Sequence, residues 1–194
     1  MAIKKIKDNI SPKEFKFLLN YTSIDSSLRS QRRDRLLKLF NLLYITGLRV
    51  NETSQFTNKK IKELIENRVT KIVAHKQKTE KFVYITEKGA KELSRYFDII
   101  NDNDLVFTSE RGSKNSPLAI NSVIRDINFY LKKVFPNKNF TSHSFRQTLI
   151  TELAEKNINT KTIQTLIGHK SITSTYRYIK PSQEQILNSL DLVR

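Results

Sequence analysis

Cysteine is absent from the 194 residues, glycine and proline occur only four times each, and histidine three times. Without cysteine the chain has no disulfide, no thiolate metal site and no cysteine nucleophile. Three histidines are too few for most zinc enzymes. Acidic residues are scarce as well: 19 Asp and Glu stand against 35 Lys and Arg, a formal net charge of +16 at pH 7. No carboxylate cluster of the kind that holds catalytic Mg²⁺ is apparent, which argues against a two-metal nuclease. Long hydrophobic runs are missing too. The longest, around Leu36–Ile45, is interrupted by Lys38 and Asn41 and falls short of the ~20 residues of a membrane span. Met1–Ile10 alternates Lys with Ile and lacks the apolar core of a signal peptide. No membrane partner is expected.

What the chain does have is positive charge on a foldable background. Hydrophobic residues make up 38%, enough for a core, and the length suits one domain or one domain with arms. A pI of about 10.0 on a folded domain points to a polyanionic partner, most often nucleic acid. Charge alone does not separate a binding module from an enzyme, nor either from a basic structural protein. The abundance of Ile, Asn and Lys suits an AT-rich bacterial or organellar genome.

Periodicity predicts a mainly α chain with a small antiparallel β-sheet, an α+β class. Residues 1–29 read as an N-terminal arm or linker, although Ser11-Pro12-Lys13-Glu14 has the form of a helix start. From Ser30 to Ile45, Leu36, Leu37, Leu39, Phe40, Leu42, Leu43 and Tyr44 recur at helical spacing, and Gly47 is the natural left-handed stop. Asn51 can cap a following helix, and Lys59–Asn67 reads as an exposed stretch or short helix. Val69–Ala74 and Phe82–Thr86 then alternate as two strands, with His75 to Lys81 as the hairpin loop. Helix returns over Glu87–Ile100, and Leu105–Phe107 is a short extended piece. Further helices are predicted over about 119–134, 143–156, 160–167, 172–179 and 182–191.

Four places carry candidate chemistry, each with a plain structural explanation beside it. In Thr46-Gly47-Leu48-Arg49-Val50-Asn51-Glu52, Arg49 lies between an apolar helix and the next cap, pinned near the core; a surface ion pair with Glu52 is the plain alternative. His143 and Arg146 share a helix face at i and i+3, near a helix N-terminus that favours anions; a structural His-x-x-Arg pair is the plain alternative. Gly168 ends a helix and leaves His169 in the turn that follows, where a capping role also fits. Tyr176 and Tyr178 flank Arg177, and at i and i+2 only one of them can share a site with the basic cluster; a core tyrosine is the usual role. Taken together, two Arg, two His and a Tyr suit a site for a phosphodiester. Arginine forks bind two non-bridging oxygens, and a phenol of pKa about 10 becomes a nucleophile where cations stabilise the phenolate.

In order and spacing these residues resemble the catalytic domain of the tyrosine recombinases, which include phage-type integrases and chromosome-dimer resolvases. Thr46–Glu52 resembles the family's first arginine box. His143-x-x-Arg146 resembles the second, with Gln147-Thr148 where His-Thr is commoner. Ile163–His169 resembles the Ile-Gln-x-Leu-Leu-Gly-His segment, with Ile167 in place of a Leu. The family's nucleophile lies nine residues beyond that histidine, which selects Tyr178 over Tyr176. The family's catalytic lysine sits in the β-hairpin, where this chain offers Lys76, Lys78 and Lys81. The wording Lys78-Thr79 selects Lys78, with Lys76 as the alternative. The likeness covers roughly residues 30–190.

The resemblance implies a site-specific strand transferase for double-stranded DNA, from a mobile element, working in the bacterial cytoplasm on nucleoid DNA as a tetramer. Tyr178 would attack the scissile phosphate to give a 3′-phosphotyrosyl link and a 5′-hydroxyl. Arg49, Arg146 and His169 would stabilise the developing charge, His143 would take or steer the tyrosine proton, and Lys78 would protonate the leaving oxygen. Glu52 would orient Arg49. One ester is exchanged for another, so neither metal, ATP nor other cofactor is expected. A type IB topoisomerase-like nicking-closing enzyme and a silent DNA-binding module are the alternatives. The division expected is 1–29 arm, 30–181 catalytic domain and 182–194 C-terminal tail helix, the tail docking on its own domain or on a neighbouring subunit. Family members carry a further helical DNA-binding domain of roughly 100 residues. About thirty residues precede the first core helix here, which fits a fragment or a minimal form.

Overall fold

Apolar side chains at helical spacing fold Ser30–Thr46 (α2) into the central helix of the first of two compact units, residues 1–149. Leu36, Leu39, Phe40, Leu42 and Leu43 are all buried there. A fully buried leucine stabilises by about 2 kcal/mol relative to an exposed one, so this helix is the main source of the core. A computed structural model describes residues 8–73, 80–97, 101–108, 116–169, 171–176, 187 and 191.

Ahead of that helix runs Pro12–Ile24 (α1). Ser11 caps it: its hydroxyl accepts from the Glu14 N–H while Glu14 accepts from the Ser11 N–H, and Pro12 needs no donor in the first turn. Ile10, Phe15, Leu18 and Leu28 all belong to the same buried cluster as α2, and Phe15 stacks on Tyr44 with ring centroids 3.7 Å apart. Residues 10–28 are therefore part of the core, where the sequence alone reads an arm or linker. The stripe that buries them is narrow, Phe15, Leu18 and Thr22, and its last member is polar. Thr22 conceals its hydroxyl by donating to the Leu18 carbonyl, 2.6 Å away.

Gly47 ends α2 with φ 61° and ψ 21°, its N–H donating to the Leu43 carbonyl at 2.9 Å. A one-turn helix, Val50–Thr53 (α3), begins directly after it with Arg49 as its N-cap, so Asn51 lies inside that turn and does not cap it. Thr57 caps Asn58–Asn67 (α4), which buries Ile61 and Leu64. The sheet follows as an antiparallel pair, Val69–Val73 (β1) and Glu80–Tyr84 (β2), in the register Val69↔Tyr84, Ile72↔Lys81 and Val73↔Glu80. The second strand thus starts two residues earlier than its hydrophobic pattern indicates, because Glu80 and Lys81 pair despite their charge. Glu87–Ser94 (α5) is shorter than the helix expected there, and Leu105 and Val106 dock on Thr57 and Phe56 by single backbone contacts.

Ile120–Val134 (α6) buries Val123, Ile127, Tyr130 and Leu131. Ser144–Glu155 (α7) starts in the first unit, where Phe145 lies 5.7 Å from the Phe40 ring. The Ile10 N–H donates to Thr148 Oγ1 at 2.8 Å, tying the chain's start to this helix. The second unit, residues 150–194, contains Thr160–Ile167 (α8), capped by Asn159, and Thr173–Tyr176 (α9). Ile163, Ile167 and Thr175 are buried within it. Among the described residues no helix is long and apolar enough to cross a membrane.

Candidate active site

The stop at Gly47 decides where the first arginine goes. Its left-handed turn swings the chain out of α2, so Arg49 reaches the start of α3 with extended backbone, φ −76° and ψ 148°. The i, i+3 spacing then lets the Glu52 carboxylate accept from Arg49 twice. The Arg49 N–H donates to Glu52 Oε2 at 2.9 Å, and Nη1 of the same arginine donates to Oε1 at 3.2 Å. Glu52 is fully buried, at 0% exposure, while the Arg49 side chain stays partly accessible. The plain ion pair and the functional arginine are therefore one arrangement.

The second arginine arrives on α7. Phe145 anchors that helix in the core, and the next residue, Arg146, is 1% exposed. Its Nη1 donates to the Gly47 carbonyl at 2.9 Å, across a sequence separation of 99. Both arginines are thus held at the same chain reversal, one through its own backbone and one through the carbonyl of the stop residue. His143 stands one residue before α7, in the turn ahead of it, and is exposed. Its N–H donates to Thr141 Oγ1, and the preceding Ser142 N–H is held by Asn128 Oδ1 at 2.7 Å. His143 and Arg49 line one cavity of about 450 Å³ together with Asn51, Asn121 and Ser142. Arg49, Glu52, His143 and Arg146 are therefore gathered at one place in the first unit.

A fifth residue lies there, Lys81, which the sequence pattern alone puts in the hairpin loop. Lys81 occupies an inward position of β2, beside Val83 on the same face, with its side chain 7% exposed. Its Nζ lies 3.6 Å from Glu52 Oε2. Strand alternation was the available signal: extending the strand back from Val83 by two residues turns Lys81 inward. The charged pair Glu80-Lys81 obscured it.

Electrostatics follow from three cations around one carboxylate. Burial by itself raises the Glu52 carboxyl, but the Lys81 charge, the Arg49 N–H and the charges of Arg146 and Arg49 outweigh it and hold it below the ordinary 4.5. Lys81 goes the other way from its usual 10.5. Burial pushes it down, Glu52 opposes this, Arg146 and Arg49 reinforce it, and the ammonium ends at about 8. The arrangement carries excess positive charge and suits an anion.

His169 belongs to the second unit. Gly168, with φ 71°, stops α8, and its N–H donates to the Gln164 carbonyl at 2.9 Å. The His169 N–H donates to the same carbonyl at 3.0 Å, and the Gln164 side chain donates to the His169 carbonyl at 3.0 Å. The ring Nδ1 lies 2.9 Å from the buried Thr175 hydroxyl. A hydroxyl donating to Nδ1 leaves the proton on Nε2, the form that donates to a phosphate oxygen. Tyr176 ends the described part of α9 and is 54% exposed. Lys76, Lys78 and Tyr178 lie outside the described residues, as does the tail apart from residues 187 and 191. Among the described residues no group of three His, Asp or Glu is placed to hold a metal ion.

Comparison with known proteins gives three findings. Residues 9–185 match the model of the phage integrase family. The chain is 29% identical over 187 residues to the tyrosine recombinase XerC of Leptospira interrogans, covering 94% of this chain and 58% of the relative. It is 30% identical over 161 residues to the tyrosine recombinase XerC of Rickettsia massiliae, covering 74% and 46%. The chain thus spans less than two thirds of the length of these relatives. Among solved structures, the fold is shared with XerA recombinase (TM-score 0.68, 23% identity, 100% of this chain and 67% of that one). It is shared also with the Tn1549 transposon integrase in complex with a circular intermediate DNA (TM-score 0.73, 19% identity, 98% and 67%). A third is XerH site-specific recombinase bound to its difH substrate (TM-score 0.71, 18% identity, 100% and 56%).

Proposed function

The chain belongs to the phage integrase family, and from that premise we propose that it cleaves and rejoins double-stranded DNA through a 3′-phosphotyrosyl intermediate. The observation that carries the reading is the meeting of Arg49 and Arg146 at the Gly47 reversal around a single buried carboxylate. A phosphodiester attacked in line gathers charge on its non-bridging oxygens, and fixed guanidinium forks stabilise that charge without reorganising. Arg49 and Arg146 have this role. His169 donates a further hydrogen bond from Nε2, its ring held by Thr175. Tyr178 is the nucleophile, His143 takes or steers its proton, and Lys78 protonates the leaving 5′-oxygen. Glu52 orients Arg49.

Because the phosphotyrosine conserves the ester's energy, a 5′-hydroxyl from a second duplex reverses the step without ATP, metal or other cofactor. The partner is therefore DNA, exchanged within a tetramer assembled on two duplexes in the bacterial cytoplasm, on nucleoid DNA. Residues 30–181 carry the catalytic constellation, on a core to which residues 10–28 contribute. The tail, 182–194, docks on a neighbouring subunit and couples assembly to the position of Tyr178.

Covalent trapping on a library of nicked suicide duplexes tests this reading. The wild type and Tyr176→Phe form a protein–DNA adduct, and Tyr178→Phe forms none. Loss of adduct in Tyr176→Phe with retention in Tyr178→Phe overturns the choice of nucleophile. A wild type that binds DNA and never forms adduct overturns cleavage altogether and leaves a silent binding module.

A further inference from the structure

Lys81 has no role in that chemistry as assigned, yet it is the least ordinary charged residue near the arginines. An inward strand position whose neighbour on the same face is Val83 and whose cross-strand partner is Ile72 ordinarily takes an apolar side chain. A buried ammonium persists only where it is paired. The group that Lys81 meets is Glu52 Oε2, at 3.6 Å, and this oxygen already accepts the Arg49 N–H at 2.9 Å. The other oxygen, Oε1, accepts the Arg49 guanidinium.

We propose that Lys81 is a positioning residue that acts through Glu52: it holds the carboxylate so that Oε1 faces Arg49 and fixes that guanidinium toward the scissile phosphate. The proposal rests on the strand-cleavage reading above and names a residue that reading does not use. Two contacts fix Oε2, the Arg49 N–H from the helix start and the Lys81 ammonium from the strand. Rotation of the carboxylate would break both of them together. Remove the ammonium, and Oε2 keeps one backbone contact while Arg49 gains a choice of rotamers. Lys81, together with Arg49 and Arg146, also holds Glu52 ionised, which the guanidinium contact requires.

Among the described residues, the charged groups facing Lys81 are Glu52 from α3, Arg49 from the junction between α2 and α3, and Arg146 from α7. On β1 the residue opposite is Ile72, while Lys71 pairs with Glu80. Burial disfavours the ammonium, Glu52 opposes this and the two arginines add to it, so its proton is released in the alkaline range, near pH 8. Above that pH the hold on Glu52 is lost in the wild type. An arginine at the same position stays charged throughout.

The experiment compares wild type, Lys81→Met and Lys81→Arg in the full chain. Single-turnover adduct formation is followed at saturating suicide duplex from pH 6.5 to 9.5, and DNA affinity is measured in parallel. The mobility of the Arg49 guanidinium is read separately by ¹⁵N NMR without DNA. At pH 7 Lys81→Met loses on the order of a hundredfold in adduct rate, the scale of a misplaced catalytic group, while DNA affinity stays within threefold. Its Arg49 signal averages by faster rotation. The wild-type rate falls above pH 8, and Lys81→Arg recovers most of the rate and removes that alkaline fall. If Lys81→Met matches the wild type in rate and in the Arg49 signal, the proposal is wrong. If Lys81→Met does not fold, Lys81→Arg decides: an alkaline fall identical to the wild type's overturns the role. If the wild type forms no adduct, strand cleavage fails, and the Arg49 signal by itself decides whether Lys81 positions it.

Discussion

Glu52 shows how a single carboxylate can be buried completely and stay ionised. Isolated, it would take up a proton; among Lys81, Arg49 and Arg146 it is held below its ordinary range. Its contribution to stability is therefore present above pH 4.5 and is lost as pH falls through its lowered folded value. Lys81 contributes with the opposite slope. Its folded value of about 8 lies under the ordinary 10.5, so between these limits the unfolded chain binds more protons than the folded one. Unfolding free energy then rises with pH across that window, by on the order of 3 kcal/mol, as the cost of burying the charge is relieved. Urea unfolding at a series of pH values checks this: the alkaline rise disappears in Lys81→Met, and the acid loss shrinks in Glu52→Gln. Stability and adduct rate should thus move in opposite directions above pH 8. A group that served the fold alone would not oppose them.

At the scale of elements, the unexpected partner is α1. Leu18 is fully buried where α1 packs on α2 and α6. Leu18→Ala should cost about 3 kcal/mol. The check is a lower urea midpoint with an unchanged slope, as expected when the whole first unit loses stability together. An arm that merely trailed from the domain would leave the midpoint where it was. Gly47 is the second element-scale determinant, because a side chain there would have to adopt φ 61°. Gly47→Ala should cost about 1 kcal/mol in the same measurement. It should also lower adduct yield, since Arg146 is seated on the Gly47 carbonyl. The helix stops at Gly47 and Gly168 and the cap at Ser11 were legible in the sequence, because each depends on neighbours within one turn. The start of β2 was not. Its first two residues are charged, and their pairing is decided by β1 across the hairpin.

For the whole molecule, the net charge of +16 and the catalytic charge are separate quantities. Non-specific DNA affinity should fall linearly with salt on logarithmic axes, each phosphate contact contributing about 0.9 to the slope. Arg146 is 1% exposed and adds little to that surface count. Arg146→Lys, which keeps the charge and loses the fork, should leave the salt slope within about one contact of the wild type and abolish adduct. Fluorescence anisotropy across a salt series, paired with suicide trapping, measures both. If affinity and adduct fell together, binding and chemistry would share the same charges.

The linear order of residues was enough to determine the class, the helix Ser30–Thr46 with its stop at Gly47, and the glycine that sets His169 after α8. Each of these is encoded by spacing of a few residues or by one backbone torsion. It was enough also to select Tyr178 and Lys78 by resemblance, though both lie outside the described residues. Only the tertiary structure decided that α1 belongs to the core, that Arg146 rests on the Gly47 carbonyl, and that Lys81 meets Glu52. The reason is physical. Whether a charge is buried, and against what, depends on side chains brought together from distant parts of the chain, and local pattern holds no record of them.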